Sequence, residues 1–226
     1  GTITAGSTTD DTKPTFSGTG TVGDLIKIYD GATVIGSVTV VTGGTWSFTP
    51  ATALTEGSHS ITTTASDALG NESAKSAALA FTVDTTAPAA PTTAPTSYKD
   101  DVGAVQNAAS VATSTDDNKP GINIPKSLTD TVNLYVDGVK VNAVYDAVNG
   151  TLTPQSAVPD GLHTFAYSLS DVAGNESAKS GTLSITIDTT APAVPTGMVA
   201  TDDVGTITGT ITAGSTTDDT KPTFSG

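Results

Sequence analysis

Residues 67–88 read DALGNESAKSAALAFTVDTTAP, and residues 171–192 read DVAGNESAKSGTLSITIDTTAP. The two copies lie 104 residues apart. Inside them Leu79, Phe81 and Val83, and likewise Leu183, Ile185 and Ile187, alternate with small residues, Ala80, Thr82, Ser184 and Thr186. Alternation with period two is the mark of a strand with one face buried and one wet. An internal repeat of this spacing has the size of an Ig-type sandwich, about 100 residues.

Working outward, residues 1–18 (GTITAGSTTDDTKPTFSG) return letter for letter at 209–226, and a worn form stands at Asp116-Asp117-Asn118-Lys119-Pro120. The reading is therefore one repeat at 1–88 lacking its first strand, one complete repeat at 89–192, and the start of a third at 193–226. Strand signals recur in register. Ile26 and Ile28 match Val132 and Leu134, and Ile61, Thr63 and Ala65 match Phe165, Tyr167 and Leu169. Asp30-Gly31 and Asp137-Gly138 are hairpin dipeptides, leading to Val34 and Val38, and to Val139 and Val141. Gly43-Gly44 leads into Trp46 and Phe48, whereas Asn149-Gly150 leads only into Leu152. With an opening strand near 89–98, the expected fold class is all-β: tandem Ig-like β-sandwiches of about seven strands each.

Composition narrows the function. Cysteine is absent, which removes thiol catalysis and Cys-type metal sites while leaving the outside of the cell open. Nine lysines, no arginine and 23 acids give a net charge of −14. Nucleic acid is a poor partner, because phosphate contacts need clustered Lys or Arg. No apolar run approaches the ~18 residues that would suggest membrane insertion. Twenty of the acids are Asp and three are Glu (Glu56, Glu72, Glu176). Asp favours turns and suits hard-cation sites built from loops.

The succession DDVG, TDDTKP, YDG, GTWSFTP, a D-x-x-GN loop and DTTAP resembles the bacterial Ig-like repeats of giant surface adhesins, including biofilm-associated proteins and type-I-secreted, RTX-like adhesins. The middle repeat departs from the pattern: GTWSFTP has shortened to GTLTP and PTFSG has become PGINI, so a repacked core is expected there. The resemblance implies an extracellular, cell-surface location on a Gram-negative bacterium, and a role in cell adhesion and biofilm formation. The implied partners are neighbouring repeats and the same protein on adjacent cells.

The acids carry the chemical signal. Asp10-Asp11, Asp100-Asp101, Asp116-Asp117, Asp202-Asp203 and Asp218-Asp219 form pairs, and Asp67, Asp84, Asp171 and Asp188 recur in register, with Asn71 and Asn175 four residues after Asp67 and Asp171. The plain reading is turn chemistry. The sharper one is a metal site. In an Ig-like sandwich the loop bearing Asp171 and Asn175 should face the end of the preceding repeat, with Asp84, Asp10 and Asp11. Converging carboxylates repel without a cation. In the family resembled, Ca²⁺ at such junctions stiffens the linker, and all sixteen residues are candidate ligands on that basis. Asp100-Asp101 and Asp202-Asp203 either end or begin the opening strand, and the pole they reach differs accordingly.

Other motifs read as structure. Gly18-Thr19-Gly20-Thr21-Val22-Gly23 matches G-x-G-x-x-G, but a strand rather than a helix follows, so it is a turn. His59 and His163 stand in one register with no nucleophile beside them, as structural residues. Trp46 is read as core. No enzymatic activity is expected. Three function classes remain: a structural extender; a module binding a sugar or host protein, which would need exposed aromatics at loop tips; and an accessory domain of a secreted polysaccharide-active enzyme.

Overall fold

The protein is described by a computed structural model covering residues 2–226. It divides into two compact units, the first ending at Asp188 and the second running Thr189–Gly226.

In the first repeat seven strands form: β1 (Thr8–Thr9), β2 (Phe16–Thr19), β3 (Leu25–Asp30), β4 (Thr33–Thr39), β5 (Thr45–Phe48), β6 (Gly57–Ser66) and β7 (Leu79–Val83). They make a five-stranded sheet ordered β1-β7-β6-β3-β4 and a two-stranded sheet of β2 and β5. The alternating residues do what their period requires. Ile26, Ile28, Ile61, Phe81 and Val83 point into one core with Phe16, while their polar neighbours stay half-exposed or exposed.

The second repeat has ten strands: β8 (Tyr98–Asp100), β9 (Asn107–Ser110), β10 (Ser114–Thr115), β11 (Gly121–Asn123), β12 (Thr131–Val136), β13 (Val139–Val141), β14 (Ala143–Asp146), β15 (Thr151–Pro154), β16 (Gly161–Ser170) and β17 (Leu183–Ile187). One sheet is ordered β10-β17-β16-β12-β13, matching the first repeat, and the other β14-β15-β11-β8-β9. Seven of these are the expected set, with β8 as the opening strand; the short β9, β10 and β14 are additional. The opening strand starts later than expected, at Tyr98. That ring is fully buried, and its hydroxyl donates to the Ser114 carbonyl at 3.1 Å. At the Asp137-Gly138 turn both residues take left-handed backbone angles, φ 51° and 80°, as a two-residue hairpin requires.

The shortened strand of the second repeat is compensated across the sheet. In the first repeat Trp46 pairs with Gly18, and a Cβ on Gly18 would lie 2.7 Å from the indole. In the second, Leu152 pairs with Ile122 as Phe48 pairs with Phe16. Gly150 then stands where Trp46 stood, and its carbonyl accepts from the Ile124 N–H at 2.8 Å. The larger residue of this pair has moved to the neighbouring strand, as Ile124, which refills part of the space.

The second unit contains β18 (Val199–Asp202), β19 (Gly209–Ile211) and β20 (Thr223–Ser225), joined as β19-β18-β20.

Candidate functional site

In each repeat the Asp pair follows a threonine: Thr9, Thr115 and Thr217. This threonine organises the loop. In the second repeat the Asp117 N–H donates to Thr115 Oγ1 at 3.0 Å, and that hydroxyl donates to Asp100 Oδ2 at 2.8 Å. Asp117 Oδ1 accepts from the Lys119 N–H at 2.7 Å, an Asx-turn that sets up Lys119-Pro120. The third copy repeats every bond: Asp219 to Thr217 at 3.0 Å, Thr217 to Asp202 at 2.6 Å, Lys221 to Asp219 at 2.7 Å. Asp100 and Asp202 are thus the last residues of β8 and β18, which places them beside the Asp pair that follows. Sequence reasoning passed over the threonines, although their fixed place ahead of each pair was a usable signal.

One oxygen in each of these two loops is left over. Asp117 is 2% exposed and Asp219 6%, and the Oδ2 of each is buried without a hydrogen-bond partner. Burial pushes the Asp117 carboxyl above its usual range; the Lys119 and Asp101 N–H groups oppose the shift, and the charges of Asp101 and Asp100 add to it. Asp116 closes the loop from the other side. A Cβ on Gly103 (φ +71°) would meet Asp116 Oδ2 at 2.0 Å, and one on Gly205 (φ +77°) would meet Asp218 Oδ2 at 2.3 Å. The glycine of DDVG is therefore needed for its left-handed backbone angle, and the exposed Asp116 or Asp218 carboxylate lies against it. Asp101 turns outward to Lys99 at 2.6 Å. Asp203 follows β18 directly.

The DTTAP aspartates lie at the same end. The Asp84 N–H donates to the Thr9 carbonyl and the Asp188 N–H to the Thr115 carbonyl, both at 2.9 Å. From the next repeat, Asn175 Nδ2 donates to the Asp84 carbonyl at 2.7 Å. Asp10 Oδ2 lies 4.0 Å from the position of a Cβ on Gly174. Asp171, however, spends its carboxylate within its own loop, on the Gly174 and Asn175 N–H groups and the Asn175 amide. Asp67 does the same with Leu69 and Asn71. These bonds, the Asn side chains first, hold both carboxyls below the usual range. Asp11 caps Lys13 at 2.8 Å and is exposed. Among the described residues no three acidic or histidine side chains already form a metal cage.

The buried Oδ2 of Asp117 and Asp219 is the feature that fits a cation. Both belong to hard oxygen ligands, with Asp100 or Asp202 as neighbours, and Ca²⁺ accepts such mixed sets. The Asp67 and Asp171 carboxylates fit it less well, being saturated by their own turns.

The histidines hold structure. His59 Nδ1 bonds Asp30 at 2.6 Å and Nε2 the Thr55 carbonyl at 2.7 Å. His163 repeats this with Asp137 and Pro159, at 2.7 and 2.9 Å. Glu72 gathers Lys27, Thr64 and Tyr29, which lower its pKa to about 2, and Glu176 gathers Ser168, Tyr135 and Lys140. Among the described residues, which include all eleven aromatic side chains, only Phe224 is exposed, and it lies on β20 rather than at a loop tip.

A family profile described as a bacterial Ig-like domain matches residues 1–85 and again 91–189. The chain belongs to the bacterial Ig-like domain family. No curated protein matches it. Among solved structures this Ig-like chain is similar to the fibronectin(III)-like modules of Clostridium thermocellum CbhA, at 16% identity and TM-score 0.41, covering 81% of this chain and 90% of that one. It is also similar to a Ca²⁺-stabilized adhesin with which an Antarctic bacterium binds ice, at 23% identity and TM-score 0.39, covering 89% of this chain and 51% of the other. A tetra-tandem repeat from the extending region of a large adhesion protein shares 21% identity at TM-score 0.25, covering 90% and 60%. The Ig-like chain thus spans only about half the length of the ice-binding adhesin structure.

Proposed function

We propose that these bacterial Ig-like repeats are extender modules of a surface adhesin, stiffened by Ca²⁺ where repeats meet. On this reading the chain works outside the cell, on a Gram-negative surface reached by type I secretion, and supports adhesion and biofilm formation. Its partners are neighbouring repeats and copies on adjacent cells, and it carries no catalytic role. The observation that carries the reading is positional: each repeat delivers its Asp pair and its DTTAP aspartate to one end, and the next repeat's Asn175 docks on that end through the Asp84 carbonyl. A spacer needs such end-to-end definition, and nearest-neighbour coupling of this kind is how repeat arrays gain stiffness.

The residues that would hold calcium are Asp117 with Asp100, Asp116 and Asp188, and in the third copy Asp219 with Asp202, Asp203 and Asp218; Asp101, turned to Lys99, stands outside that set. At the junction, Asp10, Asp11 and the Asp84 carbonyl would add to Asn175. Bound calcium would compensate the carboxylate charges and, at the junction, hold oxygens of adjoining repeats together. The chain itself orients the oxygens through Thr115 and Thr217 and keeps water from the buried ones. The binding module and the accessory enzyme domain have no comparable observation in their favour.

The test is thermal unfolding and small-angle scattering of the chain in calcium and in chelator. A ligand bound only to the native state stabilises by about 2.7 kcal/mol at a hundredfold excess over Kd. Calcium should raise Tm by several degrees and narrow the spread of shapes. Asp117→Asn should blunt the rise. Asp84→Ala keeps the carbonyl that Asn175 binds, so Asn175→Ala is the sharper probe of the direct link. Identical melting and scattering in calcium and chelator would remove calcium from the proposal.

A further inference from the structure

The two repeats finish the same edge of the larger sheet differently. In the second repeat the outermost strand, β13, is three residues long and carries Lys140. The chain then crosses to the other sheet, where β14 pairs with β15, Tyr145 opposite Leu152. A short strand and a lysine both blunt a sheet edge. In the first repeat β4 stays beside β3 for seven residues, Thr33–Thr39. Among the described residues it pairs with no other strand, apart from one bridge beyond its end, Val41 to Thr45. Its register slips at Ile28/Tyr29, which leaves Gly36–Thr39 as the regular stretch. Residues 31–55 hold no Asp, Glu, Lys or Arg, in a chain with a net charge of −14.

The bonds at the end of β4 fix the direction of its backbone groups. The Val40 N–H donates to the Asp24 carbonyl at 2.9 Å, and the Val40 carbonyl accepts from the Gly23 N–H at 3.0 Å, so Val40 faces β3. The Val41 N–H turns the other way, to the Thr45 carbonyl at 3.0 Å. Main-chain groups alternate sides along a strand. Val38 therefore shares the direction of Val40, while Ser37 and Thr39 turn their N–H and C=O groups away from β3. Both are exposed. Val38 is half-buried against the core of the first repeat.

We propose that the edge of β4 is a contact surface for a second copy of the chain, β4 against β4, antiparallel about a two-fold axis at Val38. Ser37 of each copy then lies opposite Thr39 of the other, and Val38 lies opposite Val38 between them. Each Ser37–Thr39 pair exchanges both of its N–H···O bonds, and Thr–Ser is a favourable cross-strand pair. Strand addition of this kind draws its affinity from the main chain. Two observations choose a second copy as the occupant. The outward groups of Ser37 and Thr39 are their own complement under a two-fold rotation. The strip is also neutral, so it offers no charge to a basic partner, while two acidic copies can meet there without opposing carboxylates. The position belongs to the fold: β3 and β5, which flank β4 in sequence, are both in place, and the second repeat leaves β13 outermost in the same way. A two-fold contact is isologous and closes at two copies. It needs no calcium, and it rests on main-chain pairing rather than on the extender reading.

The experiment is sedimentation velocity of the full chain in chelator, at low and high salt, up to its highest soluble concentration. The sedimentation coefficient should rise with concentration and level off at that of a dimer. It should rise sooner in high salt, which screens the repulsion between acidic copies. Thr39→Lys sets a charge on the edge and should hold the chain as a monomer. Because this change makes the chain less acidic, a general charge effect would act in the opposite direction. Ser37→Pro removes an outward N–H and spares the ladder to β3, the one way an edge strand accepts proline. It should also give a monomer, with the far-UV circular dichroism of the parent; if that spectrum changes, Thr39→Lys decides. Val144→Lys, on β14 of the second repeat, should leave the dimer intact. A monomer at every concentration overturns the proposal. So does association that survives Thr39→Lys, that is lost equally in Val144→Lys, that grows beyond a dimer, or that appears only with calcium.

Discussion

Asp11 and Asp117 occupy the same place in the same motif, Thr-Asp-Asp before Lys-Pro, and cap the same turn at 2.8 and 2.7 Å. Asp11 is exposed and Asp117 is 2% exposed. What separates them is the β8–β9 hairpin and the loop inside it, which in the second repeat bring Asp100 and Gly103 over the Asp pair. One acidic motif is thus a solvated turn in one setting and a buried, under-satisfied carboxylate in the other. Burial decides which chemistry the same residues perform.

The largest test of this contrast is Tyr98→Ala. It removes the side chain that anchors β8 in the core, at a cost of about 3–5 kcal/mol, the usual range for a buried aromatic. Trp46 is the chain's one tryptophan and lies in the first repeat. Urea unfolding followed by far-UV circular dichroism should show an early transition while tryptophan fluorescence is unmoved. If both signals shift together, the two repeats unfold as one and the contrast must be redrawn.

Next comes the exchanged pair of core residues. Gly18→Ala should cost the first repeat about 1–3 kcal/mol by overpacking against Trp46, read by the tryptophan transition. Adding Trp46→Leu should recover most of that in a circular-dichroism melt. No recovery would mean that Gly18 serves its backbone rather than the indole.

Smaller again is the charge effect. In chelator, Asp117→Asn should stabilise the second repeat by on the order of 1 kcal/mol, by removing a buried carboxylate oxygen without a partner. Asp11→Asn should stay within about 0.5 kcal/mol, as exposed substitutions do. Equal responses would show that the hairpin does not create the difference.

The smallest effects are pH dependences. The Glu72 pKa is lowered to about 2, through Lys27 first and then Thr64 and Tyr29. A depressed carboxyl contributes stability above its ordinary value of 4.5, and that contribution is lost as pH falls from there toward 2. Tryptophan-detected stability should decline over this window, and less so in Glu72→Gln. His59 works in the opposite sense. Burial disfavours its charge, but the Thr55 carbonyl and Asp30 prevail and raise its pKa. Its contribution is complete below 6.5 and fades as pH rises above that value. His59→Gln should flatten the alkaline side of a pH–Tm profile.

The residues themselves determined the repeat, the strands and the turns. Period-two alternation such as Leu183-Ile185-Ile187 is a local property, and an Asp-Gly dipeptide carries its turn preference wherever it stands. The further strands of the second repeat were not legible, because β9, β10 and β14 are two to four residues long and carry little alternation. The candidate site was legible as a set of aspartates but not as a geometry. Tertiary structure alone decided that Asp171 and Asp67 are saturated by their own loops, that Asp100 reaches Thr115 from fifteen residues away, and that Ile124, on the paired strand, stands beside the glycine that replaces Trp46. Those outcomes depend on which segments pack over which, and the desolvation of a carboxylate or the volume of a core layer is set by neighbours far along the chain.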